Sequence, residues 1–338
     1  MTKWITCLAG TGNTMYDAPQ EVARIAETIG FQTIYYAHYD NVDNQHEMRL
    51  TYFESLLSQI QPGDTVVVQF PTGLVNANYN EEFYTILREK SGVKLIAFLH
   101  DVRTYIYAGQ NYDPKTDLTL KWLRLFDCLI VHNAKFIERL RADSVQVPMV
   151  NMHLFDFCYD GPLQEKHLLP KVYYTSGRRV RLIDYHAKTH LNIIGGRFGE
   201  DQLNIHYFDK MENKAIPAIF DGGFGLADTL PNFSINFGKL DWETYNQLNN
   251  PFKLSLYLAS GLPVIVSSQS AHAAWIQEKN IGLILDNLND IDDALSNLTE
   301  DDYQAMLAAI KPYQKAVSTG YFAKRALMEA IRTLSLTV

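Results

Sequence analysis

Short apolar segments alternate with amphipathic segments along this chain, and the alternation occurs in two successive runs. The apolar segments have the length of buried strands and the amphipathic segments that of helices. Such alternation is typical of a parallel sheet covered by helices on both faces. In the first run, strands are predicted at Trp4–Gly10, Gln32–His38, Thr65–Phe70, Lys94–Leu99 and Cys128–Val131. In the second run, they are predicted at Lys171–Thr175, Leu191–Ile194, Asn204–Phe208, Val264–Val266 and Gly282–Leu285.

The stretch Pro148–Pro170 separates the two runs and shows neither period, so we interpret it as an interdomain linker. A chain of 338 residues is long enough for two domains of ordinary size. We therefore predict an α/β protein of two doubly wound, Rossmann-like domains that face a central cleft. The first domain covers residues 1–152, with a C-terminal helix at 320–338 that packs back on it, and the second covers residues 153–319.

Charge and hydropathy exclude several classes of function. The formal net charge of −8 and the pI of 5.7 do not provide the basic surface that nucleic-acid binding requires. No apolar run approaches the roughly 20 residues of a membrane span, and the N-terminus is predicted to be a first strand rather than a signal peptide. Cys7 and Cys128 lie in predicted strands, which favours buried free thiols. We expect a cytoplasmic protein with no nucleic-acid partner.

The segment Asn250–Ser268 combines a helix, a turn and a strand around one cation. Pro251 fits the first turn of a helix, Gly261 fits its left-handed end, and a short buried strand follows at Val264–Val266. Lys253 stands near the helix start, where the helix dipole favours anions. A diphosphate between the helix N-terminus and the ammonium would offset that cost, although a solvated lysine in an ordinary αβ unit fits the sequence equally well.

Ligands of open parallel sheets bind beyond the carboxyl ends of the strands. The segments predicted there are Gly10–Thr14, Pro71–Gly73, His100–Arg103, Ser176–Arg179, Asp221–Gly225 and Asn249–Lys253. Arg178 and Arg179 offer planar forks that suit phosphate oxygens, unless they form a solvated surface run. The glycines of Asp221–Gly225 would let backbone N–H groups approach a ligand, unless the segment is an ordinary loop. His100 and Asp101 could form an acid–base pair at a sugar hydroxyl, although a lone histidine is more often structural.

Other catalytic patterns do not match. The run Gly10-x-Gly12 lacks the third glycine of a dinucleotide site, so we interpret it as a tight turn over a substrate pocket, where Asn13 and Thr14 would donate hydrogen bonds. The sequence contains no P-loop, no G-x-S-x-G elbow and no histidine or carboxylate cluster with zinc spacing.

The segment Pro251–Ser268 resembles the K-x-x-E-Y-x-A-x-G-x-P-V-I segment of glycosyltransferases with the GT-B architecture. The matching residues are Lys253, Tyr257, Ala259, Gly261, Pro263, Val264 and Ile265. Leu256 stands where many members carry the glutamate that holds the donor ribose, and Leu248 is not a glutamate either. The resemblance therefore implies a member outside the retaining subgroup with paired glutamates.

Over essentially the whole chain, the sequence resembles the glucosyltransferase 3 family, which extends O-linked GlcNAc on serine-rich repeat adhesins of Gram-positive bacteria. The resemblance rests on Gly222–Leu226, on Tyr245 with Lys253 and Leu254, on Gln69 with Pro71 and Thr72, and on His100–Val102. It implies a UDP-sugar-binding second domain and an acceptor-side first domain. The expected donor-binding residues are Thr14, Arg178, Arg179, Gly223, Phe224, Gly225, Tyr245, Asn249, Lys253 and Leu254. The expected acceptor-binding residues are Asn13, Pro71 and Thr72.

The resemblance implies a hexosyltransferase that moves a hexose, with glucose as the first choice, from a UDP-sugar to GlcNAc on a Ser/Thr-rich protein. The expected catalytic residues are His100, Asp101 and Lys253, with Asp101 as first candidate base and Asp228 as second. Fixed cations and a helix N-terminus would stabilise the departing UDP without a metal or other cofactor. A galactofuranosyl- or other hexosyltransferase of polysaccharide synthesis and a non-catalytic glycopeptide-binding subunit are the alternatives. The family resemblance also implies a homo-oligomer.

Overall fold

The computed structural model describes residues 1–10, 14–72, 77–106, 117–176, 180–195, 202–235 and 242–336. The chain divides into two compact units, each with its own six-stranded sheet. The N-terminal unit comprises Met1–Tyr105, Gly109–His153 and Phe322–Val338, and the C-terminal unit comprises Ile106–Ala108 and Leu154–Tyr321.

The sheet of the N-terminal unit has the strand order β2-β1-β3-β4-β5-β6, and each neighbouring pair is parallel. Its strands are β1 (Lys3–Leu8), β2 (Gln32–Tyr36), β3 (Thr65–Phe70), β4 (Lys94–Leu99), β5 (Cys128–Val131) and β6 (Met149–Asn151). All six residues of β3 are buried, as expected for a strand covered on both faces.

Helices connect these strands, as the sequence pattern predicts. They are α1 (Thr14–Glu27), α2 (Asp40–Asp43), α3 (His46–Leu56), α4 (Ala77–Glu89), α5 (Arg103–Ile106), α6 (Leu118–Leu123) and α7 (Ala134–Ala142). The last helix of the chain, which we number α13 (Tyr321–Leu336), also contacts this unit. Its Arg325 guanidinium donates hydrogen bonds to the carbonyls of Asn151 and Met152, at 2.6 and 3.0 Å.

The main sheet of the C-terminal unit is also parallel and has the order β10-β9-β7-β11-β13-β14. Its strands are β7 (His167–Thr175), β9 (His190–Ile194), β10 (Ile205–Phe208), β11 (Gly222–Leu226), β13 (Val264–Val266) and β14 (Gly282–Ile284). Two further strands, β8 (Val180–Leu182) and β12 (Phe233–Ile235), form an antiparallel pair.

The α-helices of the C-terminal unit are α8 (Trp242–Asn246), α9 (Phe252–Ala259), α10 (Ala273–Lys279), α11 (Ile291–Ser296) and α12 (Glu300–Ser318), with 3₁₀ turns at Ile216–Ile219 and Leu288–Asp290. Helix α12 begins with a capping box, in which the Thr299 hydroxyl and the Asp302 carboxylate satisfy each other's backbone N–H groups. The doubly wound α/β fold predicted from the sequence is confirmed in both units.

Two local predictions are wrong. The stretch Pro148–Pro170 is not wholly a linker, because Met149–Asn151 pairs with β5 and β7 already begins at His167. The segment at 221–225 is not a loop, because Gly222–Leu226 is a central strand between β7 and β13. Glycines are poor strand formers, so the sequence pattern missed this strand.

The helix–turn–strand prediction for Asn250–Ser268 is confirmed. Pro251 is the N-cap of α9, Gly261 has φ +67° just after the helix, and Val264–Val266 is a fully buried strand. Cys7 and Cys128 are buried free thiols, as predicted. In the part of the chain that the structure describes, every helix is too short or too polar to cross a lipid bilayer.

Candidate active site

The strand order places a topological switch point in each unit. In the C-terminal unit β7 and β11 are neighbours. The strands that follow β7 in this sheet, β9 and β10, lie on one side of the pair, and those that follow β11, β13 and β14, lie on the other. Open parallel sheets bind ligands in the crevice beyond the carboxyl ends of two such strands. The ligand position of this unit is therefore defined by the residues around Thr175 and those after Leu226.

Lys253 lies in the first turn of α9, at this edge of the sheet. Its side chain is half-buried, and its ammonium lies over the ring of Tyr174, 4.3 Å from the ring centroid. Tyr174 is the penultimate residue of β7 and is fully buried. The predicted cation therefore lies beside the switch point, against an aromatic ring that the sequence did not single out.

Asp228, two residues beyond β11, is a buried carboxyl group at this edge. Its Oδ2 accepts a hydrogen bond from the N–H of Ser267 at 3.0 Å, whereas its Oδ1 has no hydrogen-bond partner among the described residues. Burial raises the pKa of Asp228 to about 6, against the lowering effects of Ser267, Ser270 and the Lys253 charge. The site therefore holds a cation and an incompletely satisfied acid next to a helix N-terminus.

Helix α9 is fixed to the end of β7 by its own tyrosine. The Tyr257 hydroxyl accepts a hydrogen bond from the Thr175 N–H and donates one to the Tyr173 carbonyl, both at 3.0 Å. Gly225 allows the close approach of the Tyr257 ring, because a Cβ at Gly225 would lie 2.3 Å from a ring atom. These contacts set the position from which Lys253 projects.

Gly223, Phe224 and Gly225, predicted to bind the donor from a loop, instead form part of a buried strand, and their contact with a donor stays a prediction. The Gly225 N–H donates to the Pro263 carbonyl at 2.8 Å and is used by the fold. Phe224 is fully buried in the core. A Cβ at Gly223 would lie 2.2 Å from the Lys171 carbonyl oxygen, so the glycine is needed for strand packing.

Three other predicted donor-binding residues lie on or beside α8 and α9. The Tyr245 and Leu254 side chains are buried, at 1 % and 0 % exposure, so in this structure they belong to the protein core. Asn249 is half-buried, and its N–H donates to the Tyr245 carbonyl at 2.9 Å. Of these three, only the Asn249 side chain has appreciable exposure.

The switch point of the N-terminal unit lies between β1 and β3, and the predicted acceptor-binding residues Pro71 and Thr72 follow β3. Pro71 is half-buried and follows a cis peptide bond. Thr72 is fully buried; its N–H donates to the Tyr84 hydroxyl at 3.1 Å and its hydroxyl donates to Asn80 Oδ1 at 2.7 Å. The Thr72 hydroxyl is thus occupied within the unit, which argues against the predicted acceptor contact.

His100 follows β4, and its Nε2 lies 2.7 Å from Gln69 Oε1. Because Gln69 Nε2 donates to the carbonyls of Thr6 and Pro19, its oxygen must accept, so His100 is protonated at Nε2. Burial, with a smaller contribution from His132, lowers the pKa of His100 to about 3. His100 is therefore neutral at physiological pH and cannot serve as a cationic general acid. Asp101, next in the chain, is half-buried.

Some predicted residues lie outside the described part of the chain. These are Asn13, Arg178 and Arg179, together with the side chain of Thr14, whose backbone begins α1. In the described ranges, no group of three or more histidines, cysteines or carboxylates is arranged to hold a metal ion.

The sequence prediction missed the roles of Tyr174 and Gln69. Tyr174 carries a usable signal, since it is an aromatic residue one position before the end of a predicted strand. The signal is weak because the neighbouring Tyr173 has the same chemistry, and only the sheet decides which ring lies under the ammonium.

Solved glycosyltransferases share this fold. Sucrose-phosphate synthase from Thermosynechococcus elongatus matches 99 % of this chain and 100 % of its own with a TM-score of 0.64, at 11 % identity. An E. coli structure described as trehalose-6-phosphate bound with UDP-2-fluoro glucose matches 97 % of this chain and 99 % of its own with a TM-score of 0.63, at 8 % identity. These similarities show that the chain has the GT-B fold.

Within that class, the chain belongs to the glucosyltransferase 3-like family, whose N-terminal domain matches residues 2–154 and whose C-terminal domain matches residues 172–330. Glucosyltransferase 3 of Streptococcus gordonii is 25 % identical over 94 % of both chains. The β-1,6-galactofuranosyltransferase WbbI of Escherichia coli K12 is 21 % identical over 83 % of both chains. The predicted family resemblance is confirmed. The protein is a glycosyltransferase, and these relatives support a hexosyltransferase.

Proposed function

We propose that this protein transfers a hexose, glucose as the first choice, from a UDP-sugar to O-linked GlcNAc on a Ser/Thr-rich adhesin. The carrying observation is the half-buried Lys253 ammonium, which lies in the first turn of α9 at the C-terminal switch point. A helix N-terminus and a fixed cation together favour a phosphate group. Both would stabilise the charge that develops on departing UDP.

A metal-independent reaction is part of this proposal. The ammonium of Lys253 and the N–H groups of α9 supply positive charge where a divalent cation would otherwise be needed. Arg178 and Arg179, which follow β7 in the sequence, are proposed to add bidentate contacts to the same diphosphate. Transfer in the presence of excess EDTA would support this part of the proposal, and loss of transfer restored by Mg²⁺ would contradict it.

The acceptor side is proposed to use Asp101 as the base. His100, neutral and held by its hydrogen bond to Gln69, is proposed to lie beside the acceptor sugar. Asp228 is the weaker candidate base, because its oxygens are shielded from solvent in the C-terminal unit. Asp101→Asn is expected to lower the rate of transfer strongly and to change the affinity for UDP little.

The donor and acceptor are proposed from the relatives. The similarity to a glucosyltransferase 3 over 94 % of both chains favours glucose, whereas the shorter match to a galactofuranosyltransferase keeps UDP-galactofuranose as the second candidate. A non-catalytic glycopeptide-binding subunit has no need of a lysine held at the switch point.

A homo-oligomer in the cytoplasm is proposed by family analogy, and sedimentation equilibrium would test its assembly.

The test is a UDP-release assay with the purified protein and a panel of UDP-sugars. Each donor is offered with a GlcNAc-O-Ser peptide and with the same peptide lacking GlcNAc. Release that requires the sugar-bearing peptide and is fastest with UDP-glucose is the expected result. Release only with UDP-galactofuranose would favour the second candidate. UDP binding without release on either peptide would contradict the proposed acceptor, and no UDP binding would contradict the donor.

A further inference from the structure

We propose that Tyr174 is a positioning residue for Lys253, whose ring face holds the ammonium in place for an anionic donor before the donor binds. The inference rests on the donor role proposed above for Lys253. The observation behind it is the distance of 4.3 Å between the Lys253 Nζ and the centroid of the Tyr174 ring. A cation at this distance from a buried ring is attracted by the negative face of the ring.

The Tyr174 ring is itself fixed. Phe233 stacks against it, with ring centroids 4.6 Å apart and an interplanar angle of 17°. The ring therefore contacts both a second aromatic side chain and the ammonium. The Tyr174 hydroxyl lies 3.4 Å from the Thr229 hydroxyl, in the segment just beyond Asp228. The ring is therefore fixed by Phe233, and its hydroxyl lies beside that of Thr229, shortly after β11.

This arrangement addresses two costs that a lysine at this place would otherwise carry. A lysine side chain has four flexible carbon–carbon bonds, and ordering them on ligand binding reduces affinity. A cation near a helix N-terminus is also opposed by the helix dipole. The face of the Tyr174 ring offsets both costs before a ligand binds, because it attracts the ammonium and orders the Lys253 side chain. Binding of an anion then requires less further ordering of that side chain.

The test measures UDP binding by calorimetry for variants of the full chain. Tyr174→Leu keeps a buried apolar side chain but removes the aromatic face, so UDP binding is expected to weaken by about 5- to 10-fold. Tyr174→Phe keeps the face and loses only the hydroxyl, so it is expected to restore binding to within about 2-fold of the wild-type value. Equal weakening by both variants would overturn the proposal.

Tyr303→Leu is the matched structural control. Tyr303 is as buried as Tyr174 and belongs to the same hydrophobic cluster, but its ring packs edge-on against Phe224 and its hydroxyl donates to the Gly223 carbonyl. This variant is expected to lower the melting temperature and leave UDP binding unchanged. If Tyr303→Leu weakens UDP binding as much as Tyr174→Leu does, the effect of Tyr174 is general destabilisation and the proposal fails.

A double-mutant cycle separates this inference from the proposed function. In a Lys253→Met background, Tyr174→Leu is expected to cause no further loss of UDP affinity, because the group that it positions is gone. A further loss equal to that in the wild-type background would overturn the positioning role. If Lys253→Met alone leaves UDP binding unchanged, the donor role of Lys253 fails instead, and with it the basis of the inference.

Discussion

The two switch points of this protein, one in each unit, differ in how their polar groups are satisfied. At the N-terminal switch point the polar side chains serve the fold, since the Thr72 hydroxyl donates to Asn80 and Gln69 bonds Thr6, Pro19 and His100. At the C-terminal switch point, Lys253 rests against an aromatic ring, and Asp228 is buried with one oxygen lacking a hydrogen-bond partner among the described residues.

The difference bears on the proposal that the C-terminal unit binds the charged donor. Polar groups that satisfy one another stabilise a rigid scaffold, whereas an incompletely satisfied buried charge costs folding free energy. Such a cost persists at sites where binding or catalysis benefits from it. The Lys253 ammonium and the first turn of α9 are the groups through which the C-terminal unit is proposed to bind an anion.

Removal of the lysine tests this comparison with the largest expected effect. Lys253→Ala is expected to reduce transfer by about 100- to 1,000-fold, as loss of one transition-state donor typically does. The fold is expected to remain intact, because the side chain is half-buried and packs on a ring rather than in a cavity. UDP release and thermal melting would be measured together.

Lys279→Ala is the control for that experiment. Lys279 is a solvent-exposed lysine of the same unit, paired with Glu278 at the end of α10. Its loss is expected to leave both the rate and the melting temperature unchanged. Equal activity of the Lys253→Ala and Lys279→Ala variants would contradict the proposal that Lys253 binds the phosphate groups of the donor.

The packing of α9 against β11 gives the next largest effect. Gly225→Ala is expected to lower the free energy of unfolding by about 3 kcal/mol or more, because its Cβ would overlap the buried Tyr257 ring. Gly63→Ala is a milder comparison. Gly63 has φ +89° but nothing within 4 Å of its Cβ, so strain alone costs about 1 kcal/mol. Urea denaturation would measure the loss of unfolding free energy in both variants. Equal losses would contradict the close approach of Gly225 and the Tyr257 ring.

Two buried groups, one in each unit, respond to acid in opposite directions. Burial lowers the pKa of His132, in the N-terminal unit, to about 4. The unfolded chain therefore takes up a proton first as the pH falls below 6.5, and stability is lost between pH 6.5 and 4. The pKa of Asp228 is raised to about 6, so the folded state is protonated first and this group adds stability between pH 6 and 3.8. Each contribution is at most about 3 kcal/mol.

His132→Gln and Asp228→Asn would resolve these two contributions. Urea midpoints at pH 7.0 and 5.0 would be compared with those of the wild type. The histidine variant is expected to lose less stability on acidification than the wild type, and the aspartate variant to lose more. Identical pH dependence in all three proteins would mean that neither group is shifted in the folded state.

A change remote from both switch points is expected to have the smallest effect. Thr299→Ala removes the capping box of α12 and is expected to cost about 1 kcal/mol of stability with no change in UDP release. Thr299→Ser, which keeps the hydroxyl, is its matched control. A loss of transfer in the alanine variant would show that activity depends on the general stability of the C-terminal unit.

Much of the fold could be predicted from local patterns. The bounds of β3, β4, β5 and β13 agree with the sequence prediction, because continuous apolar runs bounded by turn residues have few alternatives. The end of α9 at Gly261 could also be predicted from the sequence, since a glycine followed by Leu-Pro ends a helix through local geometry alone. The sequence by itself thus determined the α/β class, most of the elements and the cation at the start of α9.

Strand order, burial and the partners of the charged groups were decided only by the tertiary structure. Gly222–Leu226 looked like a loop because glycine has low strand propensity, yet the strand exists because Gly225 leaves room for Tyr257. The position of Tyr174 under Lys253 depends on β7 lying next to β11, with α9 bonded to the end of β7. Such pairings join residues about 80 positions apart in the chain, and a local period of 2 or 3.6 residues contains no information about them.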